Sequence, residues 1–187
     1  LNEFEQLVFS QLSVFSPGFS LEAAEAVIEI PSGCTSSSME ILSELVEHSL
    51  LYCMESRRYR MLETVRCYAR DRLATLGDTL LRHARYYAAM CAPLTAHHGN
   101  LASAIKVLPE ERLNLSAAMA YAVQGNSHQD AATIALIWLK LLAQKNHYEA
   151  LSRIVSIQGA HVDRYTWAHL MKEKWKLLWT AGQLRPA

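Results

Sequence analysis

Arg57, Arg58, Arg60, Arg66 and Arg70 crowd guanidinium groups into a short stretch of this chain. A guanidinium is a planar fork of donors that matches a carboxylate or a phosphate. Three uses are open to such a cluster. It can grip nucleic-acid phosphate, dock on an acidic protein face, or form a solvated face balanced by neighbours one turn away. The segment Met39 to Ser49, a helical stretch shortly before the cluster that could enter a DNA groove, helps to choose between them. It offers Glu40, Glu44 and Glu47 and no basic side chain. Carboxylates there oppose the phosphate charges that supply most non-specific affinity, so docking on protein is favoured and DNA reading through this chain is not expected.

Other chemistry lacks its residues. No G-x-x-x-x-G-K-[ST] occurs, and the seven glycines are scattered, so nothing here wraps backbone N–H groups around a nucleotide's phosphates. The chain is therefore expected to be no enzyme and to hold no cofactor of its own. His83, His97 and His98 lack further ligands at a metal-binding spacing, and no nucleophile elbow is present. Cys34, Cys53, Cys67 and Cys91 form no C-x-x-C pair and read as buried thiols in a reducing cytoplasm. No apolar run approaches ~20 residues, so no membrane span is expected. The first residue is Leu1 rather than Met, and an extension toward the N-terminus is expected.

Charge is unevenly placed although the formal net value is zero. Residues 1–56 hold nine Glu and no Lys or Arg, whereas residues 57–85 hold eight Arg against Glu63, Asp71 and Asp78. An acidic lobe followed by a basic seam can dock segments on each other or on a charged partner.

Elements that would carry the cluster follow from period and caps. Asn2 with Glu5 and Ser37 with Glu40 are capping pairs, and Ser20 can cap a short helix between them. Phe4, Leu7, Val8, Leu12 and Phe15 give the first helix its apolar face, which stops at Pro17-Gly18. Leu50–Met54 and Tyr59–Leu62 read as two strands joined across Glu55-Ser56-Arg57-Arg58. Leu62, Val65, Ala69, Leu73 and Leu76 then line one stripe of a fourth helix. Helix, helix, helix, hairpin, helix is the order of a winged helix, expected over residues 1–76.

Residues 77–187 read as helices. One runs from Asp78 to Pro93, and Leu101 to Leu108 is a weaker segment. Pro109 opens the next helix, which ends at Gly125-Asn126, and Asp130–Gln144, His147–Ile157 and Tyr165–Thr180 follow. Pairs of roughly 34 residues match a tetratricopeptide-like region. Trp167, Leu170, Met171, Trp175 and Leu178 make a broad apolar face near the end, a candidate partner surface that can drive homodimerisation if it is exposed.

Three ordered stretches, Leu12–Ala24, Leu45–Leu51 and Arg58–Ala69, resemble the winged-helix part of bacterial regulatory STAND ATPases, the predicted ATPases of antibiotic-pathway and LuxR-type transcriptional regulators. Arg82–Tyr87 and Glu111–Ala122 are similar to the same family where its helical repeats begin. The resemblance covers most of residues 1–145. It implies a control module: a winged helix packed on a nucleotide-binding domain that holds ATP or ADP in a longer protein, with helical repeats sensing a protein or small-molecule ligand. The arginine cluster read above supplies the interdomain docking candidates for such packing, Arg57, Arg58, Arg60, Arg66 and Arg70, together with Glu63. His48 stands where Lys or Arg is usual, and Leu113 replaces a usual Asp. Met61-Leu62-Glu63 occupies the place of a Met-His-Asp triplet that touches ADP in related ATPases, so this histidine-free version is not expected to sense phosphate.

Overall fold

The computed structural model describes residues 1–71, 77–95, 101–142, 154 and 156–180. The chain divides into two compact units, Leu1–Tyr86 and Tyr87–Ala187. Among the described residues it is mostly helical with one small sheet.

The first unit opens with α1 (Glu3–Leu12), whose N-terminus is closed by the reciprocal Asn2–Glu5 capping box. Strand β1 (Gly18–Phe19) follows, then α2 (Leu21–Val27) capped by the Ser20 hydroxyl, and α3 (Ser38–Glu47) capped by the Ser37–Glu40 box. Helix α3 stops without a glycine. Ser49 takes a left-handed φ of 59°, and the N–H groups of Ser49 and Leu50 donate to Val46 and Leu45, satisfying the last carbonyls. Strands β2 (Tyr52–Cys53) and β3 (Tyr59–Arg60) form the wing, and α4 (Glu63–Asp71) packs on α1.

The sheet is antiparallel in the order β1-β3-β2, with Tyr59 opposite both Phe19 and Cys53. Strand β1 is absent from the sequence reading, where Pro17-Gly18 served only as a stop. Two residues carry no alternation to detect, yet Gly18 is needed there, since a Cβ would lie 2.7 Å from the Tyr59 carbonyl oxygen. Phe15 stacks on Phe19 at 4.6 Å between centroids, and Phe19 on Tyr59 at 5.9 Å, joining sheet to core.

Val8, Leu12, Ala24, Val27, Ile41, Leu42, Leu45 and Leu51 complete that core. Three sequence assignments are corrected here. Leu7 is exposed and Phe9 is buried, because α1 packs against α2, α3 and α4 at once and so buries a face turned from the expected one. Leu62 is exposed and precedes α4; Leu73 and Leu76 lie outside the described residues. Of the cysteines only Cys91 is buried, its thiol pushed up to about 12 by desolvation. Cys53 in edge strand β2 and Cys67 on α4 are exposed, contrary to the buried reading.

Arg82 fastens the start of α5 (Gly77–Thr95) within this unit. Its Nε donates to the Val27 carbonyl at 2.7 Å, Nη1 to the Glu29 carboxylate at 2.8 Å, and Nη2 to Gln11 Oε1 and Thr79 Oγ1 at 3.1 Å each. Gln11 in turn bridges the Glu29 backbone through both ends of its amide. One guanidinium therefore closes the C-terminus of α2 and ties it to α1 and α5.

In the second unit α6 (Leu101–Gln124) and α7 (His128–Leu142) pack against each other. Asn126, at φ 58°, turns the chain between them, and Ser127 Oγ bonds the Asp130 carboxylate at the head of α7. Helix α6 runs through Pro109, which corrects the expected break at that residue. Proline removes one i→i−4 bond, and the helix continues through it. Helix α5 likewise passes Pro93 and ends at Thr95. Inside the unit Tyr87 Oη and Asn114 Nδ2 both donate to Glu111 Oε2 at 2.8 Å. Most of the expected helix His147–Ile157, together with His97 and His98, lies outside the described residues.

A 3-10 turn (Gly159–His161) leads to α8 (Arg164–Thr180). Asp163 accepts the N–H groups of Tyr165 and Thr166 and exchanges two hydrogen bonds with the Gln129 side chain, so it caps α8 and ties it to α7. The Thr166 hydroxyl and N–H, with the Gln129 amide and the Tyr165 N–H, hold its carboxyl down at about 2. A folded value below the ordinary carboxylate one contributes stability that is present above pH ~4 and lost as pH falls toward 2. We expect amide exchange in the first turn of α8 to accelerate over that window, and Asp163→Asn to flatten the acid dependence. An unchanged profile in the variant would contradict this cap.

Candidate docking surface on the winged helix

The wing turn closes when Met54 N–H donates to the Arg58 carbonyl at 2.8 Å and Arg57 N–H to the Met54 carbonyl at 2.9 Å. Arg57 itself adopts φ 57°, a left-handed conformation that non-glycine residues take infrequently, and is exposed. Arg58 Nη2 reaches across to the Gly18 carbonyl at 3.1 Å, holding wing to β1. Arg60 is half-buried in central strand β3.

On α4, Arg66 forms a two-pronged pair with Glu63 and extends Nη1 to the Ser13 carbonyl at 3.4 Å. The Glu63 carboxyl is held below its usual range, first by the Arg66 hydrogen bond and further by the Arg66 charge, the Cys67 thiol and the Arg70 charge. Arg70 stands exposed. Among the described residues, Arg57, Arg60 and Arg70 make no ion pair.

The predicted cluster therefore divides. Arg58, Arg66 and Glu63 are tied into the unit's own framework, whereas Arg57 and Arg70 present charge outward from the wing and α4. Mutual repulsion of Arg66 and Arg70 is relieved for Arg66 by Glu63 one turn back. Met61 is buried, Leu62 is exposed, and Glu63 opens α4.

Helix α3 shows solvent the opposite sign. Met39, Glu40, Ser43, Glu44, Glu47 and His48 are all exposed. The Ser37 backbone N–H and then its hydroxyl hold the Glu40 carboxyl below its ordinary value, which favours its charged form.

Sequence reasoning missed Arg82 as an anchor. The sequence shows it only as one of two arginines, with Arg85, on α5, and its partners Val27 and Glu29 lie 55 and 53 positions away. At the far end of the chain the expected apolar face is rotated. Leu170 is buried, Trp167 and Met171 are half-buried, and Trp175 is exposed.

Residues 1–74 match the family model of the winged helix-turn-helix domain. The chain is also similar to mycobacterial proteins named "Putative HTH-type transcriptional regulator", Rv0890c of Mycobacterium tuberculosis (strain ATCC 25618 / H37Rv) and Mb0914c of Mycobacterium bovis. Each is 36% identical over 149 residues, which is 74% of this chain and 17% of the relative. The chain thus spans about a sixth of the length of the curated relatives it matches. No solved structure matches it at a significant level. With helix order, wing and family match in agreement, residues 1–74 are a winged helix-turn-helix domain, and a helical region follows them.

Proposed function

We propose that this chain is a non-catalytic control module of a transcriptional regulator. In this reading the winged helix docks on a nucleotide-binding domain and the helical region, tetratricopeptide-like in its spacing, receives a ligand or partner. The names of the relatives support the regulatory role, and the resemblance to STAND ATPases supports the coupling to an ATP- or ADP-binding domain. One observation carries the docking: the helix that would enter a DNA groove exposes Glu40, Glu44 and Glu47, while Arg57 and Arg70, which make no ion pair among the described residues, are exposed elsewhere. Docking of this kind holds one population until a ligand favours another.

In the longer polypeptide, reversing Arg57 and Arg70 to Glu together should release the docked state and change both nucleotide exchange and reporter output. Arg66→Glu serves as the contrasting variant, since it sets a carboxylate beside Glu63 and should lower stability instead. Wild-type exchange and output in the Arg57/Arg70 double variant would refute the docking role.

A second reading keeps DNA as the partner, favoured by the domain type itself and by the exposed wing arginine. There Arg57 would contact the duplex backbone in place of α3.

A further inference from the structure

We propose that the outer face of α8 is a docking site for an acidic amphipathic helix of a partner polypeptide. This inference is independent of how the winged helix is used. The inner side of α8 is fixed by Leu170 and Leu177, which are buried, and by Trp167, whose indole covers Gly159 so closely that a Cβ there would lie 2.5 Å from the ring. With that side settled, the solvent side presents Tyr165, Ala168, Lys172, Trp175 and Trp179, all exposed. Their spacing is three, four, three, four, the seam by which one helix packs along another. Tyr165 is 58% exposed and Trp175 and Trp179 are each 60% exposed. Large aromatic side chains aligned over about four turns, roughly 21 Å, are the residue types that anchor interfaces.

Charge decides what covers them. Lys172 is the middle residue of the seam and makes no ion pair among the described residues, whereas Lys176, beside it on the same side, is paired with Glu173 at 2.7 Å, so the open charge of the seam is that of Lys172. No carboxylate falls on the stripe. A second copy packed antiparallel on the same face would set Lys172 against Lys172 at the twofold axis, which disfavours self-pairing. A helix with apolar residues at the matching three-four spacing and Asp or Glu at its centre places a carboxylate on Lys172 and buries both tryptophans.

The test uses the 187-residue chain and two labelled helical peptides with the same leucine seam, one bearing Glu and the other Lys at the central and flanking positions, read by fluorescence anisotropy. The Glu peptide should bind at least about tenfold more tightly than the Lys peptide, and Trp175→Ala should weaken it by about tenfold or more. Lys172→Glu should reverse the order of the two peptides. Both substitutions fall at exposed positions, and Trp175→Gln provides a second truncation should the alanine variant misfold. Absence of binding by the Glu peptide, equal binding of the two, an unchanged order in Lys172→Glu, or a dimer in sedimentation that Trp175→Ala dissociates would each overturn the proposal.

Discussion

Arg82→Ala should destabilise the winged-helix unit by about 2–3 kcal/mol, read as a downward shift of its thermal midpoint of about 10 °C or more. The ion pair with Glu29 is a minor part of this, because the Glu29 carboxylate is largely exposed and such pairs are worth at most about 1 kcal/mol. The larger part is the desolvation left uncompensated. The Val27 carbonyl at the end of α2 loses its charged donor, and the Gln11 amide oxygen, on a residue that is itself buried, loses one of its two donors and keeps the Glu29 N–H. Arg82→Lys should recover less than half of the loss, since one ammonium cannot reach four acceptors arranged for a planar fork. A midpoint within 2 °C of wild type, about half a kcal/mol, would show that the clamp is incidental.

Glu111→Ala should cost the helical unit a comparable amount, about 2–3 kcal/mol, for a related reason. Tyr87 Oη and Asn114 Nδ2 donate to one Glu111 oxygen in a buried setting, and both are fully covered residues. Removing the acceptor leaves donors in the interior, whereas Tyr87→Phe removes a donor and should cost only about 1 kcal/mol. Chemical denaturation of the single and double variants separates the shared energy, because residues bonded to one acceptor should be non-additive. Strict additivity would mean that the hydrogen bond contributes nothing beyond burial.

Local signals in the sequence translated well wherever they act within a few residues. The Asn2–Glu5 and Ser37–Glu40 boxes, the Ser20 cap and the wing at 52–60 all stand where cap chemistry and alternation placed them. Signals that depend on distant partners did not translate. Strand β1 exists because β3 lies beside it, and Gly18 marked a turn in sequence while serving as a close-contact site in space. Arg82 carries no local sign of its role, because the Val27 carbonyl that claims it lies 55 positions away. The rotation of α8 is similar, since Leu177 rather than Met171 or Leu178 joins Leu170 as a buried residue of a helix that packs on α7. The arginine cluster was legible as a cluster. Its division into Arg58 and Arg66 as internal struts and Arg57 and Arg70 as outward charges was not, because the Gly18 and Ser13 carbonyls that claim the first pair lie 40 and 53 positions away.

Binding to duplex DNA as a function of salt tests the central claim most directly. If the winged helix clasps protein and leaves DNA alone, the chain should show no measurable affinity for mixed or promoter-length duplexes at about 150 mM salt, with a dissociation constant above ~100 µM, and Arg57→Glu with Arg70→Glu should change nothing. Affinity at or below ~1 µM that falls with a log–log salt slope of about −2 to −3, and that disappears in the same double variant, would place phosphates on the wing and contradict the account.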